Sequence, residues 1–140
     1  MKGLPMLFVT SVIYTIAASI NCDEVENCTG NNGYAVAVGV ISSLLCGCVI
    51  ALSKTKGADV EHIHNSFSVA MFVWWIAGSS IATFEGPFVV IGNGFFAAWA
   101  AFFFSAQYCY YSNKIMSNAF DRGANSIRNF RLDDDEPVDV

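Results

Sequence analysis

Charged residues are scarce in this sequence, and over most of its length they are missing altogether. Only 14% of the 140 residues are charged, whereas 54% are hydrophobic. Four stretches contain no Asp, Glu, Lys, Arg or His: residues 3–20, 34–52, 67–84 and 88–112. A soluble domain of this size needs a larger solvated polar surface than such a composition supplies. The composition is therefore that of a membrane protein.

Each of the four apolar stretches is long enough to cross a bilayer. A hydrocarbon core about 30 Å thick requires roughly 17 to 25 helical residues at about 1.5 Å per residue. The last stretch exceeds this length, so we expect its helix to start near Gly94. The predicted fold is an all-α, integral membrane four-helix bundle with spans at about 3–20, 34–52, 67–84 and 94–112.

Basic residues are absent from one side of this four-span arrangement. All seven precede the first span, follow the second or follow the fourth: Lys2, Lys54, Lys56, Lys114, Arg122, Arg128 and Arg131. Because Lys and Arg near span ends are retained on the cytoplasmic side, both termini are predicted to be cytoplasmic. The opposite side has short, acidic loops. The expected location is the plasma membrane or an endomembrane of the secretory pathway.

A cleaved signal peptide is the alternative interpretation of the N-terminus. The segment "MKGLPMLFVTSVIYTIAAS" begins with a base, continues with an apolar run and ends in small residues. This run is longer than the roughly 7 to 15 residues of a typical h-region, and cleavage would place the new N-terminus outside. A retained first span is therefore favoured.

Two cysteines lie in the outer loop "NCDEVENCTGNNG" between the first two spans. Cys22 and Cys28 can form a disulfide in an oxidising compartment, which would restrict a loop rich in Gly and Asn. Asn27 begins an Asn-Cys-Thr sequon and is a candidate glycosylation site, although a bonded Cys28 close to the membrane hinders that modification. At the inner end of the fourth span, Cys109 is a candidate for S-palmitoylation.

Small residues recur at every fourth position in two of the spans. Residues four apart share a helix face, so such ladders let another helix backbone approach closely. Helix-packing faces are predicted at Ala35, Gly39, Ser43, Gly47 and Ala51 in the second span, and at Ala97, Ala101 and Ser105 in the fourth. The same faces could pack within the chain or against another protein, and the sequence leaves both uses open.

The connection between the third and fourth spans, within "TFEGPFVVIGNGFFAAW", is the most irregular part of the chain. Its proline lacks an amide hydrogen and disfavours helix before it, while two later glycines permit unusual backbone angles. An ion-selective loop would need charged or coordinating groups at a water-filled path, and the spans contain no ionisable residue. We predict a compact outer hairpin whose "FVVI" part rests on the bundle or the membrane interface, with turn residues Glu85, Gly86, Pro87, Gly92, Asn93 and Gly94.

The third span contains a tryptophan pair in "FVWWIAGSSIATF". Together with four short-looped spans and cytoplasmic ends, this segment resembles MARVEL-type tetraspans, a group that includes physin-like and gyrin-like vesicle proteins. The topological resemblance covers the whole chain, and the side-chain resemblance covers Phe67 to Gln107. It implies membrane organisation, vesicle traffic or attachment to a larger complex, without catalysis.

The predicted cytoplasmic loop before the third span contains His62 and His64. Their spacing could bind a metal or respond to pH, since histidine titrates near about 6.5. We interpret both as solvated loop residues and predict no metal site.

The predicted cytoplasmic C-terminal region has two parts. Residues 113–131 have apolar side chains at helical spacing among arginines, which predicts a juxtamembrane amphipathic helix on the inner membrane surface or against a partner. Residues 132–140 are acidic and predicted to be disordered. Their Val138-x-Val140 end is similar to a PDZ-domain ligand.

The leading functional hypothesis is a non-enzymatic tetraspan that organises or joins a larger membrane assembly. Expected partners are membrane lipids, other membrane proteins or copies of itself, and a cytoplasmic partner of the C-terminal tail. No nucleic acid and no cofactor are predicted, although lipid, sterol or pigment could lie among the aromatic side chains. The alternative is a small pore-forming or channel-accessory subunit, in which an oligomer supplies the path and Glu85 forms an outer acidic ring. Catalysis is not expected, because no nucleophile has a base partner within the spans.

Overall fold

Five α-helices account for almost all of the described chain. The computed structural model describes residues 3–24, 28–56 and 61–134. Within them the helices are α1 Leu4–Glu24, α2 Gly30–Lys56, α3 Glu61–Phe84, α4 Asn93–Ser112 and α5 Lys114–Asp134. The predicted all-α class is confirmed for these residues, which contain no strand.

Three helices, α1, α2 and α3, could span a membrane by length and composition. Helix α4 has 20 residues and is almost as long as α1, which has 21. Gln107 and three tyrosines lower the mean hydropathy of α4, which is why α4 is not one of these three helices. The helices extend past the predicted spans because polar ends continue the backbone hydrogen bonding: α1 reaches Glu24, α2 begins at Gly30 and α3 begins at Glu61. These features are those of a multi-pass membrane protein.

The first four helices pack as a bundle in which α1 and α4 make most of the contacts. Helix α1 packs extensively against α2 and α4, and α4 packs against α3, whereas α2 and α3 share a smaller contact. Short connections make neighbouring helices antiparallel. The interior contains large side chains that are fully buried, including Leu4, Leu7, Tyr14, Trp75 and Tyr108.

Buried positions in the first four helices recur mostly at steps of three and four residues. Such spacing keeps one stripe of side chains on the face that meets the neighbouring helix, as in left-handed bundles. In α1 these positions are Leu4, Leu7, Ser11, Tyr14, Ala18 and Cys22. In α2 they include Ala35, Val38, Ser42, Cys46 and Val49.

The predicted small-residue ladder of α2 leaves this buried face as it runs inward. Ala35 and Gly39 are buried, Ser43 and Gly47 are half-buried, and Ala51 is exposed. A step of four residues turns the helix by about 400°, so the ladder rotates by about 40° at each step. Among the described residues, the ladder is therefore only partly covered at Ser43 and Gly47 and is uncovered at Ala51.

The ladder of α4 is used throughout its length. Ala97, Ala101 and Ser105 are all buried, and Cys109 continues the buried line. Helix α4 packs against both α1 and α3. As the ladder rotates along α4, its residues therefore pass from facing one of these helices to facing the other.

Gly39 marks a close approach of α1 and α2. A Cβ at this position would lie 2.9 Å from Tyr14 Cδ1 and 3.0 Å from Thr15 Cα, and it would overlap Thr15 Oγ1. The Thr15 hydroxyl is itself held, because it donates a 2.7 Å hydrogen bond to the Ser11 carbonyl oxygen. At Gly47 the nearest atom to an added Cβ is Phe8 Cε2 at 3.5 Å, an ordinary contact.

Gly39→Ala is expected to lower the free energy of unfolding by about 1–3 kcal/mol, because α1 and α2 would have to move apart. Gly47→Ala makes the same chemical change in the same helix, and its gain in helix propensity should leave stability equal or slightly higher. Thermal unfolding in mild detergent, followed by circular dichroism, measures both variants. Equal melting temperatures would contradict the close approach at Gly39.

Candidate functional site

Aromatic side chains fill the interior of the bundle. Tyr14 and Trp75 are fully buried, and their ring centroids lie 5.2 Å apart. Phe88 extends this cluster outward, 5.5 Å from Tyr14, while Tyr108 and Phe67 pair at 6.2 Å toward the other end. The Tyr14 hydroxyl and the Trp75 indole N–H have no hydrogen-bond partner among the described residues. None of the buried residues that the structure describes is Asp, Glu, Lys or Arg.

Phe88 anchors the outer hairpin, residues 85–92, which connects α3 to α4. Its amide donates a 3.0 Å hydrogen bond to the Ala82 carbonyl oxygen, and its buried ring lies against Gly94, where any Cβ would overlap it. The hairpin therefore rests on the bundle through Phe88, as predicted for the start of the "FVVI" segment. The three following side chains are exposed: Val89, Val90 and Ile91.

Glu85 and Gly86 tie the hairpin to the helices beside it. The Glu85 amide donates to the Ile81 carbonyl oxygen at 3.1 Å, and the Glu85 carbonyl oxygen accepts a 2.7 Å hydrogen bond from Asn31 Nδ2 of α2. A Cβ at Gly86 would lie 2.8 Å from Ala82 Cα, so this position requires glycine. The other predicted turn residues range from half-buried to exposed: Pro87, Gly92 and Asn93.

Gly86 and Gly94 are required for space, whereas an added Cβ at Gly92 would meet nothing closer than 3.9 Å. Gly92 has an extended φ of −161°. Positive φ values among the described glycines occur at Gly3 and Gly30 instead. The glycines beside Asn93 thus do not use a positive φ, and the need at Gly94 is for room beside the Phe88 ring.

A disulfide joins the outer ends of α1 and α2. It links Cys22 in the last turn of α1 to Cys28, which precedes α2, and it confirms the pairing predicted from the sequence. Cys22 is buried and Cys28 is exposed. Asn27, the candidate glycosylation site, lies outside the described residues.

His64 links three helices at the opposite end of the bundle. Its Nδ1 lies 2.5 Å from the Tyr108 hydroxyl of α4, and its Nε2 lies 3.0 Å from the Ser53 hydroxyl of α2. Because α3 begins at Glu61, both histidines are helical, and the prediction of two loop residues is wrong. His62 is exposed, whereas His64 is half-buried. A His-x-His pair in a polar segment gives no sign of which side chain faces a neighbour.

The two tryptophans of α3 make different contacts. Trp75 lies in the interior, while Trp74 Nε1 donates a 3.0 Å hydrogen bond to the Ser42 hydroxyl of α2. Farther along the same seam, a Cβ at Gly78 would lie 2.9 Å from Val38 Cγ1. The seam between α2 and α3 is thus bridged by side chains that reach across it.

The three free cysteines differ in accessibility. Cys46 and Cys109 are buried, and Cys48 is exposed. Thiol acylation requires an accessible sulfur, so the burial of Cys109 disfavours the palmitoylation predicted for it. No group of three or more His, Cys, Asp or Glu among residues 3–24, 28–56 and 61–134 could hold a metal ion.

A groove of about 420 Å³ separates the outer half of α1 from the hairpin. Its walls include Ile13, Ile16 and Ile91, and its outer end contains Asn21 and Glu24. An open apolar wall with a polar outer rim suits a membrane lipid better than a soluble ligand.

No protein family, curated protein or solved structure matches the chain. The resemblance to MARVEL-type tetraspans therefore stays a prediction.

Phe88→Ala is expected to lower the free energy of unfolding by about 3 kcal/mol, because it leaves a cavity between Tyr14 and Gly94. Val90→Ala removes an apolar side chain that is 82% exposed in the same hairpin, and its effect should stay within about 0.5 kcal/mol. Thermal unfolding of the two variants in the same detergent provides the comparison. A Phe88→Ala protein as stable as the Val90→Ala protein would show that the ring does not anchor the hairpin.

His64→Leu is expected to lower the free energy of unfolding by about 1–3 kcal/mol, because it removes two hydrogen bonds, one of them to the buried Tyr108 hydroxyl. His62→Leu makes the same change at an exposed position of the same helical turn and should be close to neutral. The measurement is again the unfolding temperature. If His62→Leu were the more destabilising variant, the three-helix link at His64 would be wrong.

Proposed function

We propose that the chain is a four-span membrane protein that packs laterally against other membrane proteins or copies of itself. In this arrangement α4 is the fourth span, and both termini and α5 are cytoplasmic. The outer hairpin and the disulfide face the opposite side. The segregation of Lys and Arg supports this orientation, and so does the disulfide, which requires an oxidising compartment.

The closed interior of the bundle is the observation that carries the proposal. Large aromatic side chains occupy it, and the described residues place no charged group there. An enzyme needs a cleft with reactive groups, and a channel within one chain needs a polar path. A filled apolar interior favours neither, so the surfaces that remain for function are the lipid-facing sides and the cytoplasmic segments.

The lipid-facing side of α4 offers a contact for a neighbouring helix. Gln107 is exposed there, between Phe103 and Tyr111, which are 65% and 55% exposed. Its amide has no hydrogen-bond partner within the described residues. An amide that faces lipid is unfavourable, whereas amides hydrogen-bond between helices in membranes. This makes Gln107 the best-supported position for lateral association.

The inner half of α2 provides a second surface. Gly47 is half-buried, and Cys48 and Ala51 beside it are exposed. Small side chains let a neighbouring backbone approach closely. A tetraspan with two such surfaces can join a larger assembly, which agrees with the role implied by the MARVEL-type resemblance.

Gln107→Leu is expected to weaken the association about fivefold, because an interhelical hydrogen bond in a membrane contributes about 1 kcal/mol. The measurement is the mass and composition of the particle purified from native membranes in gentle detergent. Val73→Leu, at a 59% exposed position of α3, is the control and should leave the particle unchanged.

Unaltered chains that purify as monomers without any co-purifying membrane protein would contradict the proposal. A ring of copies around one axis would instead favour the pore-forming alternative, with Glu85 around its outer mouth. Conductance of the reconstituted ring would then be the decisive measurement.

A further inference from the structure

Beyond Phe120, the apolar face of helix α5 is not covered by any described residue. Ile127 and Phe130 on this face are each 71% exposed. At about 100° per residue, they fall within an arc of about 80° that also contains Met116 and Phe120. A lone helix is marginal in water, and Gly123 weakens this one further. The apolar face of α5 therefore needs a surface to cover it.

Asn113 sets the start and direction of α5. It ends α4 with extended backbone, φ −129° and ψ 110°, and its amide donates a 3.0 Å hydrogen bond to the Cys109 carbonyl oxygen. Its side-chain oxygen then accepts hydrogen bonds from the amides of Ile115 and Met116, at 3.0 Å and 3.2 Å. This cap joins the two helices through one buried residue, so the orientation of α5 is tied to that of α4.

Phe120 shows which way the apolar face points. Its ring centroid lies 5.7 Å from that of Phe72 and 6.4 Å from that of Tyr110. Phe72 lies within the apolar part of α3, so the Phe120 side of α5 is directed toward the hydrocarbon level of the bundle. The Tyr110 hydroxyl of α4 donates a 3.2 Å hydrogen bond to Asp121 Oδ1 and holds α5 in this position. Ile127 follows Phe120 by two helical turns and therefore faces the same way.

Cations occupy the edge and the opposite side of α5. Lys114, Arg122 and Arg128 are exposed. At the α4–α5 junction, a cavity of about 360 Å³ is lined by polar side chains: Tyr110, Tyr111, Lys114, Ser117 and Asn118. The Lys114 ammonium, the Ser117 hydroxyl and the Asn118 amide can meet lipid phosphates, and tyrosines favour the headgroup region.

We propose that α5 docks on the cytoplasmic leaflet and binds anionic phospholipids. Phe120, Ile127 and Phe130 enter the boundary between headgroups and acyl chains, and the bases meet the phosphates. A lipid surface fits better than a soluble protein, because the apolar face is turned toward the membrane and cations flank it. The inference rests on the four-span topology of the proposed function and is independent of lateral assembly.

Hydrogen–deuterium exchange of single full-length chains in nanodiscs tests the docking. Discs of phosphatidylcholine alone are compared with discs that also contain phosphatidylserine. Exchange of the α5 amides should be at least about tenfold slower in the mixed discs, because several bases near the surface each add severalfold to binding. The same data report on α1–α4, whose amides should be protected in both lipids. Rapid exchange in those helices would count against the proposed topology itself.

Paired variants separate the roles of the two sides of α5. Ile127→Gln with Phe130→Gln should remove most of the protection of α5 in the mixed discs. Asn125→Gln with Asn129→Gln, on the polar side, should retain it. Arg122→Gln with Arg128→Gln should reduce the difference between the two lipid compositions. In every variant, unchanged protection of α1–α4 verifies that the bundle is folded.

Equal exchange of α5 in the two lipid compositions would overturn the proposal. Protection that appears only when two copies share one disc would also overturn it, because a second chain would then cover the apolar face. Retained protection in the Ile127→Gln, Phe130→Gln protein would show that this face does not enter the membrane.

Discussion

Helices that lie among lipid tails gain little from hiding apolar surface, because the tails are as apolar as the side chains. Association then depends on close fit, and the contacts of this bundle follow from that constraint. Gly39 lets α1 and α2 approach until an added methyl group would overlap the Thr15 side chain of α1. Across the wider seam between α2 and α3, Trp74 reaches Ser42 with a 3.0 Å hydrogen bond. Small residues thus allow the close approach of α1 and α2, and long side chains bridge the wider separation of α2 and α3.

Helix positions could be predicted from the sequence because charge is excluded from the hydrocarbon. The four predicted spans lie within the observed helices apart from Gly3, which precedes α1, and α4 begins at Asn93, beside the predicted start at Gly94. The rotation of each helix was harder to predict. In α2 every fourth residue is small, yet the buried face follows steps of three and four, so Ala51 turns outward. The spacing of small residues identifies a possible packing surface, but the positions of the neighbouring helices determine how much of that surface is packed.

The hairpin and His64 show why some contacts of the candidate site could not be predicted from the sequence. The turn residues and the Cys22–Cys28 pair were predictable, because proline, glycine and spaced cysteines have local chemical meaning. The contact of the Phe88 ring with Gly94 and the reach of His64 to Tyr108 are long-range, since each depends on the relative placement of separate helices. No local pattern encodes that placement.

The bonds and contacts that link the ends of the helices are concentrated at one end of the bundle. At the outer end, three contacts hold the helices together: the Cys22–Cys28 bond, the Asn31–Glu85 hydrogen bond and the buried ring of Phe88. At the inner end, the described residues link α2, α3 and α4 through hydrogen bonds of one imidazole. In the proposed topology, the outer end of the bundle is therefore the stiffer one. A load applied to α5 from the cytoplasmic side would then separate the inner ends of the helices while their outer ends stay together.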